Sequence, residues 1–499
     1  MVNDYDGVFI TWSIDWASYA LFHQPWKLFE APIFFPLQKT LTFSDPMITA
    51  AMLATPFLWI TREPLVAHSA VIFISYVMMG WFTCLFVFQA TQSRFLAITS
   101  GLYATFGAYH TMYMGHLHTF MIQWIPLSLY AWLKYKETLN LQWMWLLSLS
   151  WVCVSVNAPF TGYLLLASQG IWIFDTQSHQ LLRTHWKKLL VPLGVGALFI
   201  GVCYLPYLEA FRLYHAARTL RDAAHFALSL DEIAFSPRGI LTSIWVCLGI
   251  GLVFAFWKRR APYPKLAFGA FGIAFFALIM ALGPVLKWQG KTVKIPFPIP
   301  LPYSLVYALV PGMQAFRVPA RWIVLTSFFV LIGTTMLATS KSQRTFLGGV
   351  FLVLLFIENP WIYPTYTLHT RQERQPVYQW LETHVFEPVA FMPPEIYAMP
   401  QGAKKEVLRM LDLLPQTRVI PMYNGYSGYA PQERIDALVT LANTFPSKES
   451  MSILNSAGIH TIVIEKSAYQ ESKLNAIRCM LHMTYEDDYA IIGTISDSN

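Results

Sequence analysis

From residue 66 to residue 359 the chain is a series of apolar runs separated by short loops, and those loops carry the Lys and Arg residues. An apolar run of about 20 residues crosses the hydrocarbon of a bilayer as a helix, because only internally satisfied backbone is tolerated there. The runs at 66–90, 95–110, 116–133, 141–157, 160–174, 188–210, 240–257, 265–283, 322–339 and 345–359 therefore predict a polytopic helical bundle. Only 13% of the residues are charged, against about 25% in soluble proteins.

The distribution of Lys and Arg orients the bundle. With 66–90 running inward, Arg94, Lys134 with Lys136, Arg183 with Lys187 and Lys188, Lys258 to Arg260, and Lys341 with Arg344 fall on the cytoplasmic side. The opposite short loops, 111–115 and 158–159, hold no Lys or Arg, as the positive-inside rule requires. The net charge of +7 thus reads as topology, and with no basic stripe nucleic-acid binding is not expected. The run at 47–60, of about fourteen residues, is short for a crossing and reads as interfacial or re-entrant. That leaves the N-terminal stretch, the loops 211–239 and 284–321, and the C-terminal part outside the cell.

Three regions follow: 1–61, an extracytoplasmic loop with interfacial helices; 62–360, a transmembrane bundle of about ten helices; and 361–499, an extracytoplasmic α/β domain. The last rests on strand-like runs at Val389–Met392, Arg418–Met422, Ile459–Ile464 and Ala490–Ile495, alternating with helical patterns at 404–413, 432–443 and 467–481. The fold class is mainly α, a membrane helical bundle with a small C-terminal α/β domain. Cys84, Cys153, Cys203 and Cys247 fall in apolar runs and Cys479 stands alone, which supports neither a disulfide framework nor a Cys-based metal site.

Chemistry-bearing residues gather on the predicted outer face. Asp4 and Asp6 are suited to general base work, or to holding a divalent cation against a phosphate; a solvated terminus is the plain alternative. Asp15, among Trp12 and Trp16 on a helix spanning 8–22, is either a further carboxylate of the site or part of a polar face. His116 and His118 could line a site with His110 close by, but residues i and i+2 do not share a helix face, so joint action needs a non-helical turn. Arg212, Arg317 and Arg321 suit a lipid-linked phosphate, which a guanidinium matches bidentately; snorkelling to headgroups is the alternative. Arg317 and Arg321 stand i, i+4 around Pro319, after a Pro-rich loop with a short re-entrant helix at 301–312. Glu209 is near enough in sequence to pair with Arg212, Tyr163 follows Asn157-Ala158-Pro159 toward the same side, and the run Tyr423-Asn424-Gly425-Tyr426-Ser427-Gly428-Tyr429 either contacts a sugar or makes turns.

The order of these features resembles bacterial multispanning proteins of the GT-C glycosyltransferase superfamily, in a poorly characterised branch. The resemblance is carried by the acidic first loop, Gly115-His116-Leu117-His118 before Trp124-Ile125-Pro126-Leu127, Leu282-Gly283-Pro284, Phe316-Arg317-Val318-Pro319-Ala320-Arg321, and Asn424-Gly425-Tyr426-Ser427-Gly428. It implies transfer of a sugar from a polyprenyl-phosphate donor to a glycan or lipid acceptor on the outer face of the bacterial inner membrane, with Asp4 or Asp6 as base or as part of a metal site. It also implies a spanning helix ahead of the acidic loop, so either Met1 is not the natural start or the chain is a truncated relative. A non-catalytic protein that handles lipid-linked sugars is a second reading. A transporter is a third, disfavoured because the charged groups gather at one face instead of the bilayer midplane.

Overall fold

The computed structural model describes residues 4–215, 217–235, 242–257, 264–294, 296–358, 370–395, 400–414 and 419–495. In chain order come helices α1 (Asp4–His23), α2 (Ile48–Thr61), α3 (Pro64–Thr91), α4 (Arg94–Phe106), α5 (Ala108–Thr111), α6 (Leu117–Phe120), α7 (Trp124–Thr138), α8 (Gln142–Asn157), α9 (Pro159–Ser168) and α10 (Thr176–Tyr214). Next are α11 (Leu220–His225), α12 (Leu230–Phe235), α13 (Thr242–Trp257), α14 (Pro264–Ala281), the strands β1 (Lys287–Trp288) and β2 (Lys291–Thr292), α15 (Pro302–Leu309), α16 (Ile323–Leu337) and α17 (Lys341–Glu358). The rest is mixed: α18 (Pro376–His384), β3 (Val389–Met392), α19 (Pro400–Leu413), α20 (Gln432–Thr444), α21 (Lys448–Ser456), β4 (Thr461–Glu465), α22 (Glu471–Met480), β5 (His482–Glu486) and β6 (Ala490–Thr494).

Breaks in the apolar runs have local causes. The run 95–110 divides at Gly107, whose extended backbone ends α4. The run 116–133 divides between α6 and α7, because Pro126 fits only the first turn of a helix. In the other direction, α10 starts well before residue 188 and carries Arg183, Lys187 and Lys188 on its first turns, so these are helical and not in a loop. α1 likewise starts earlier than the pattern predicts and takes in Asp6. Arg238, Lys258, Arg259, Arg260, Ile295 and Arg418 lie outside the described residues.

Among the described residues, three helices are long and apolar enough to cross a membrane: Pro64–Thr91, Thr176–Tyr214 and Pro319–Leu337, the last counting the turn before α16. Ile48–Thr61, Thr242–Ala255 and Lys265–Ala281 are apolar and shorter. The most apolar window of α10 is 17% buried within the protein and that of Pro319–Leu337 is 94% buried. An apolar surface as open as that of α10 suits contact with lipid, whereas α16 is a central helix of the bundle.

The chain forms two compact units. The first comprises residues 1–71, 205–216 and 364–499. Its sheet has the order β3-β4-β6-β5, with β3 and β4 parallel and the other pairs antiparallel. Strand β5 is not legible in the sequence, since its side chains alternate between half-buried and exposed. The Asn424 amide is buried and stands in for a strand neighbour, accepting from the Phe391 N–H at 2.7 Å and donating to its carbonyl at 2.9 Å. The N–H groups of Phe34 and Phe35 donate to the carbonyls of Asn424 and Met422 at 2.8 and 2.9 Å. Arg434 lies 3.9 Å over the Tyr423 ring and donates to the Phe35 carbonyl at 3.0 Å. Tyr426 meets Phe9 edge-on, and the Tyr429 hydroxyl donates to the Tyr214 carbonyl at 2.9 Å. The Tyr/Gly run thus joins the N-terminal segment to the sheet.

The second unit comprises residues 72–204 and 217–363. Its centre is α16, packed on α13 and α14, with α7, α8 and α9 adjoining one another and α4 on α17. Helices α3 and α4 approach closely at a pair of glycines: a Cβ on Gly101 would stand 2.7 Å from the Gly80 carbonyl oxygen. Small residues at such crossings let apolar helices make backbone contact.

Candidate functional site

The second unit assembles its polar groups from three segments: the corner between α4 and α7, residues 217–235, and residues 282–322. The corner is closed by His110. Its buried ring stacks on Phe120, with centroids 4.3 Å apart, and its nitrogens face the carbonyls of Thr105 at 2.8 Å and Phe120 at 3.0 Å. A neutral imidazole donates to one of the two and an imidazolium to both. His116 then caps α6 with non-helical φ −129° and ψ 71°. That turn overcomes the i, i+2 separation and brings the His116 and His118 rings edge to face at 5.5 Å. Arg321 and Arg317 both lie close enough for their charges to act on His118, as does His116.

Tyr163 holds the loop that presents the two arginines. Its hydroxyl donates to the Pro311 carbonyl. Gly312 beside it has φ +83°, and a Cβ there would stand 2.9 Å from the Tyr163 hydroxyl, so glycine is required for both conformation and space. The Phe316 ring meets Phe160 and Tyr163 edge-on at 5.5 and 5.6 Å. Pro319 then opens the turn Pro319–Trp322, whose Trp322 packs between Phe160 and Phe276. Arg317 and Arg321 are therefore carried on a short segment fixed at both ends. Tyr163 supports them from behind through the Pro311 carbonyl.

Residues 217–235 form the opposing side. The Arg317 guanidinium lies over the Phe226 ring, 5.3 Å from its centroid. The N–H of Arg218 donates to the Gln314 carbonyl at 2.9 Å, and its carbonyl accepts from the Tyr307 hydroxyl. Thr219 and Asp222 form a capping box for α11, with the Asp222 carboxylate accepting from the Thr219 N–H at 2.8 Å and its hydroxyl at 2.9 Å. That backbone bond, with the hydroxyl and the charges of Arg218 and Arg317, holds the Asp222 carboxyl below the usual range against the opposing effect of burial. At the other end of α11, Lys287 is buried and its ammonium donates to the carbonyls of Ala224 at 3.0 Å, His225 at 3.3 Å and Ala227 at 2.9 Å. Lys287 precedes the β1–β2 turn, where Gln289 and Gly290 both have positive φ, the signature of a tight hairpin. Arg317 and Arg321 acting on His118, with Phe226 under Arg317, make a region suited to an anion that carries an apolar group.

The first unit holds the remaining sequence candidates. The Asp4 side chain lies outside the described residues. Asp6 is half-buried on α1, and Asp15, two and a half turns further on, points to the opposite side of that helix. Asp15 is 7% exposed and paired with Arg371, whose backbone N–H donates to Glu63 at 2.9 Å. Burial pushes the Asp15 carboxyl up, with Arg371 pulling the other way. Arg212 is exposed on the last turn of α10, and Glu209 pairs with Lys39 at 3.7 Å. Among the described residues no group of three or more His, Cys, Asp or Glu side chains could hold a metal. Asp4 and Asp6 alone would leave most of a divalent cation's six or more oxygen ligands to come from elsewhere.

Phe226, Asp222 and Lys287 are not singled out by sequence. Thr219 followed three residues later by Asp222 is a readable helix-start signal, but nothing local shows that Phe226 underlies Arg317.

The fold is a helical bundle with a small sheet-bearing C-terminal part. Among solved structures it is similar to the arabinofuranosyltransferase AftD from Mycobacteria, with a TM-score of 0.56 and 13% sequence identity over 92% of this chain. The chain spans about a third of the length of that protein, 34%. No family model matches the sequence, and no curated protein matches it.

Proposed function

We propose that the protein is a membrane glycosyltransferase that moves a sugar from a polyprenyl-phosphate-linked donor to a glycan or lipid acceptor on the outer face of a bacterial inner membrane. The observation that carries this reading is the gathering of Arg317, Arg321, His116 and His118 in one unit, with Arg317 over Phe226. A phosphate on a polyprenyl chain is an anion with an apolar tail, the combination that such a region accepts. The glycosyltransferase-like fold supports the same direction.

In the proposed reaction a carboxylate, assigned to Asp6 or Asp4 by the sequence resemblance, takes the proton of the acceptor hydroxyl. That oxygen bonds to the anomeric carbon as the bond from this carbon to the phosphate oxygen breaks. The electron pair leaves with the lipid phosphate, whose gained charge Arg317 and Arg321 hold through edge-on N–H donors. His116 and His118 border the phosphate, and Tyr163 acts by positioning the arginine segment. Asp15 bears on substrate indirectly, by fixing α1 through Arg371. In this reading residues 62–360 are the transmembrane bundle, and residues 1–61 and the α/β region 361–499 are extracytoplasmic.

Undecaprenyl phosphate carrying a photoreactive diazirine, added to vesicles holding the full chain, tests this directly. Labelled peptides from 217–235 and 310–322, reduced in the Arg317→Ala/Arg321→Ala variant, are the expected result. Equal labelling of the variant rejects the phosphate assignment. Labelling without sugar transfer from any donor favours the reading in which the protein binds lipid-linked sugars and transfers none.

A further inference from the structure

The α/β part of the first unit contains a cavity of about 280 Å³ that the transfer reading does not use. Glu465, the last residue of β4, lines it, as does Arg409 of α19, which donates to the Pro393 carbonyl just past β3 at 3.0 Å. Because β3 and β4 are parallel, the cavity opens where their carboxyl ends meet, the usual place for a ligand in an α/β sheet.

Its floor is an unusual concentration of charge for so small a fold. Arg409 is 2% exposed, and it pairs with Glu406 at 3.1 Å and with Glu465. The Lys405 ammonium stands 2.8 Å from Glu465 and 3.0 Å from Glu395. The Tyr489 hydroxyl donates to the other Glu465 oxygen at 3.0 Å. Among the described residues the Arg409 Nε–H and Glu406 Oε1 are buried without a hydrogen-bond partner. Buried ion pairs are poor contributors to stability compared with apolar packing, so a network of this kind bordering an open cavity calls for another role.

The chemistry narrows the occupant. Glu373, Asp412 and Glu465 line the cavity against Lys405 and Arg409, so an anion would meet an excess of carboxylates. Both cations are already paired with carboxylates. What the lining offers is fixed donors and acceptors in alternation, beside the phenol groups of Tyr378 and Tyr489. The volume falls just below the ~300–1,000 Å³ of pockets that take drug-sized ligands, which suits a single sugar ring. We propose that this cavity, lined by Glu373, Tyr378, Lys405, Arg409, Glu465 and Tyr489, binds one uncharged sugar residue through its hydroxyl groups. It shares no residue with the Arg317 region, and the proposal stands whether or not the protein transfers sugars.

The test is titration of the detergent-solubilised full chain with D-galactose, D-glucose, D-mannose and D-arabinose, followed by saturation-transfer NMR. At least one of the four is expected to saturate in the millimolar range. Tyr489→Phe and Lys405→Met retain the Arg409–Glu465 pair, and each should weaken binding about tenfold, the worth of one well-formed hydrogen bond to a charged network, in protein that still unfolds cooperatively. Glu373→Gln, at an exposed position, replaces either variant that melts early. The proposal is overturned if none of the four sugars saturates the folded wild-type protein, or if all folded variants bind with wild-type affinity.

Discussion

The guanidinium of Arg317 lies over the ring of Phe226, 5.3 Å from its centroid. A guanidinium has five N–H donors, and a contact with a ring through its charge leaves donors that can meet phosphate oxygens. Phe226→Leu keeps apolar bulk and removes the ring electrons. For an exposed cation–π contact of about 0.5–1 kcal/mol, the KM for a lipid-linked donor should rise roughly two- to fivefold with kcat unchanged. A fall in kcat with KM unchanged would place Phe226 against the reacting sugar instead.

Lys287 caps the carbonyl end of α11 through Ala224, His225 and Ala227, and so sets the height of Phe226. Lys287→Met leaves buried carbonyl groups without donors and should cost about 1–3 kcal/mol. The check is a lowered melting temperature in detergent, together with weaker labelling by the diazirine lipid. Unchanged melting would mean that water replaces the ammonium.

Asp222 gives a prediction in pH. Its carboxyl is held below the usual range by the Thr219 N–H and hydroxyl and by Arg218 and Arg317. A depressed folded-state value contributes stability above the unfolded value of about 3.9, and that contribution disappears as pH falls through the depressed value. The melting-temperature gap between wild type and Asp222→Asn should therefore be present at neutral pH and close on acidification below about pH 4. A gap that persists in acid would point to a contribution from shape alone.

The Asp15–Arg371 pair has the opposite sign. Burial raises the Asp15 carboxyl, and Arg371 opposes that rise. A raised value means stability that is full below about 3.9 and lost as pH climbs through the folded-state value. Arg371→Met removes the opposing charge, so the loss at neutral pH should grow to roughly 3–5 kcal/mol. Melting of Arg371→Met should improve on acidification toward about pH 4, and Asp15→Asn/Arg371→Met should recover most of the loss at pH 7. If the double variant melts as early as the single one, Arg371 stabilises through Glu63 and its surroundings and not through Asp15.

The helical bundle was legible because long apolar runs and basic loops are properties of the chain itself. Arg317, Arg321 and His116 were singled out from residue type and position, and the structure brings them to bear on His118. The i, i+2 obstacle to a His116–His118 pair was also readable. Its solution was not, since the non-helical His116 backbone depends on the His110 contacts that close the corner. The breaks at Gly107 and before Pro126 were hidden by hydropathy, which counts glycine and proline within an apolar run as neutral. The partner of Asp15 lies 356 positions away in the chain, and no local pattern points to it. The Tyr423–Tyr429 run looked equally suited to sugar contact and to turns; its contacts with Phe9, Phe391 and Tyr214 tie protein segments together.

Turnover bears most directly on the proposal that the Arg317 region holds the phosphate of a lipid-linked sugar donor. Full-length protein in vesicles, supplied with radiolabelled sugars on undecaprenyl phosphate and with membrane glycolipid acceptors, should release free undecaprenyl phosphate as label passes to the acceptor. Arg317→Ala/Arg321→Ala should reduce kcat/KM by at least about a hundredfold, two charge-assisted phosphate contacts at about 1.5–3 kcal/mol each, while folding normally. Transfer by the double variant at the wild-type rate would contradict it.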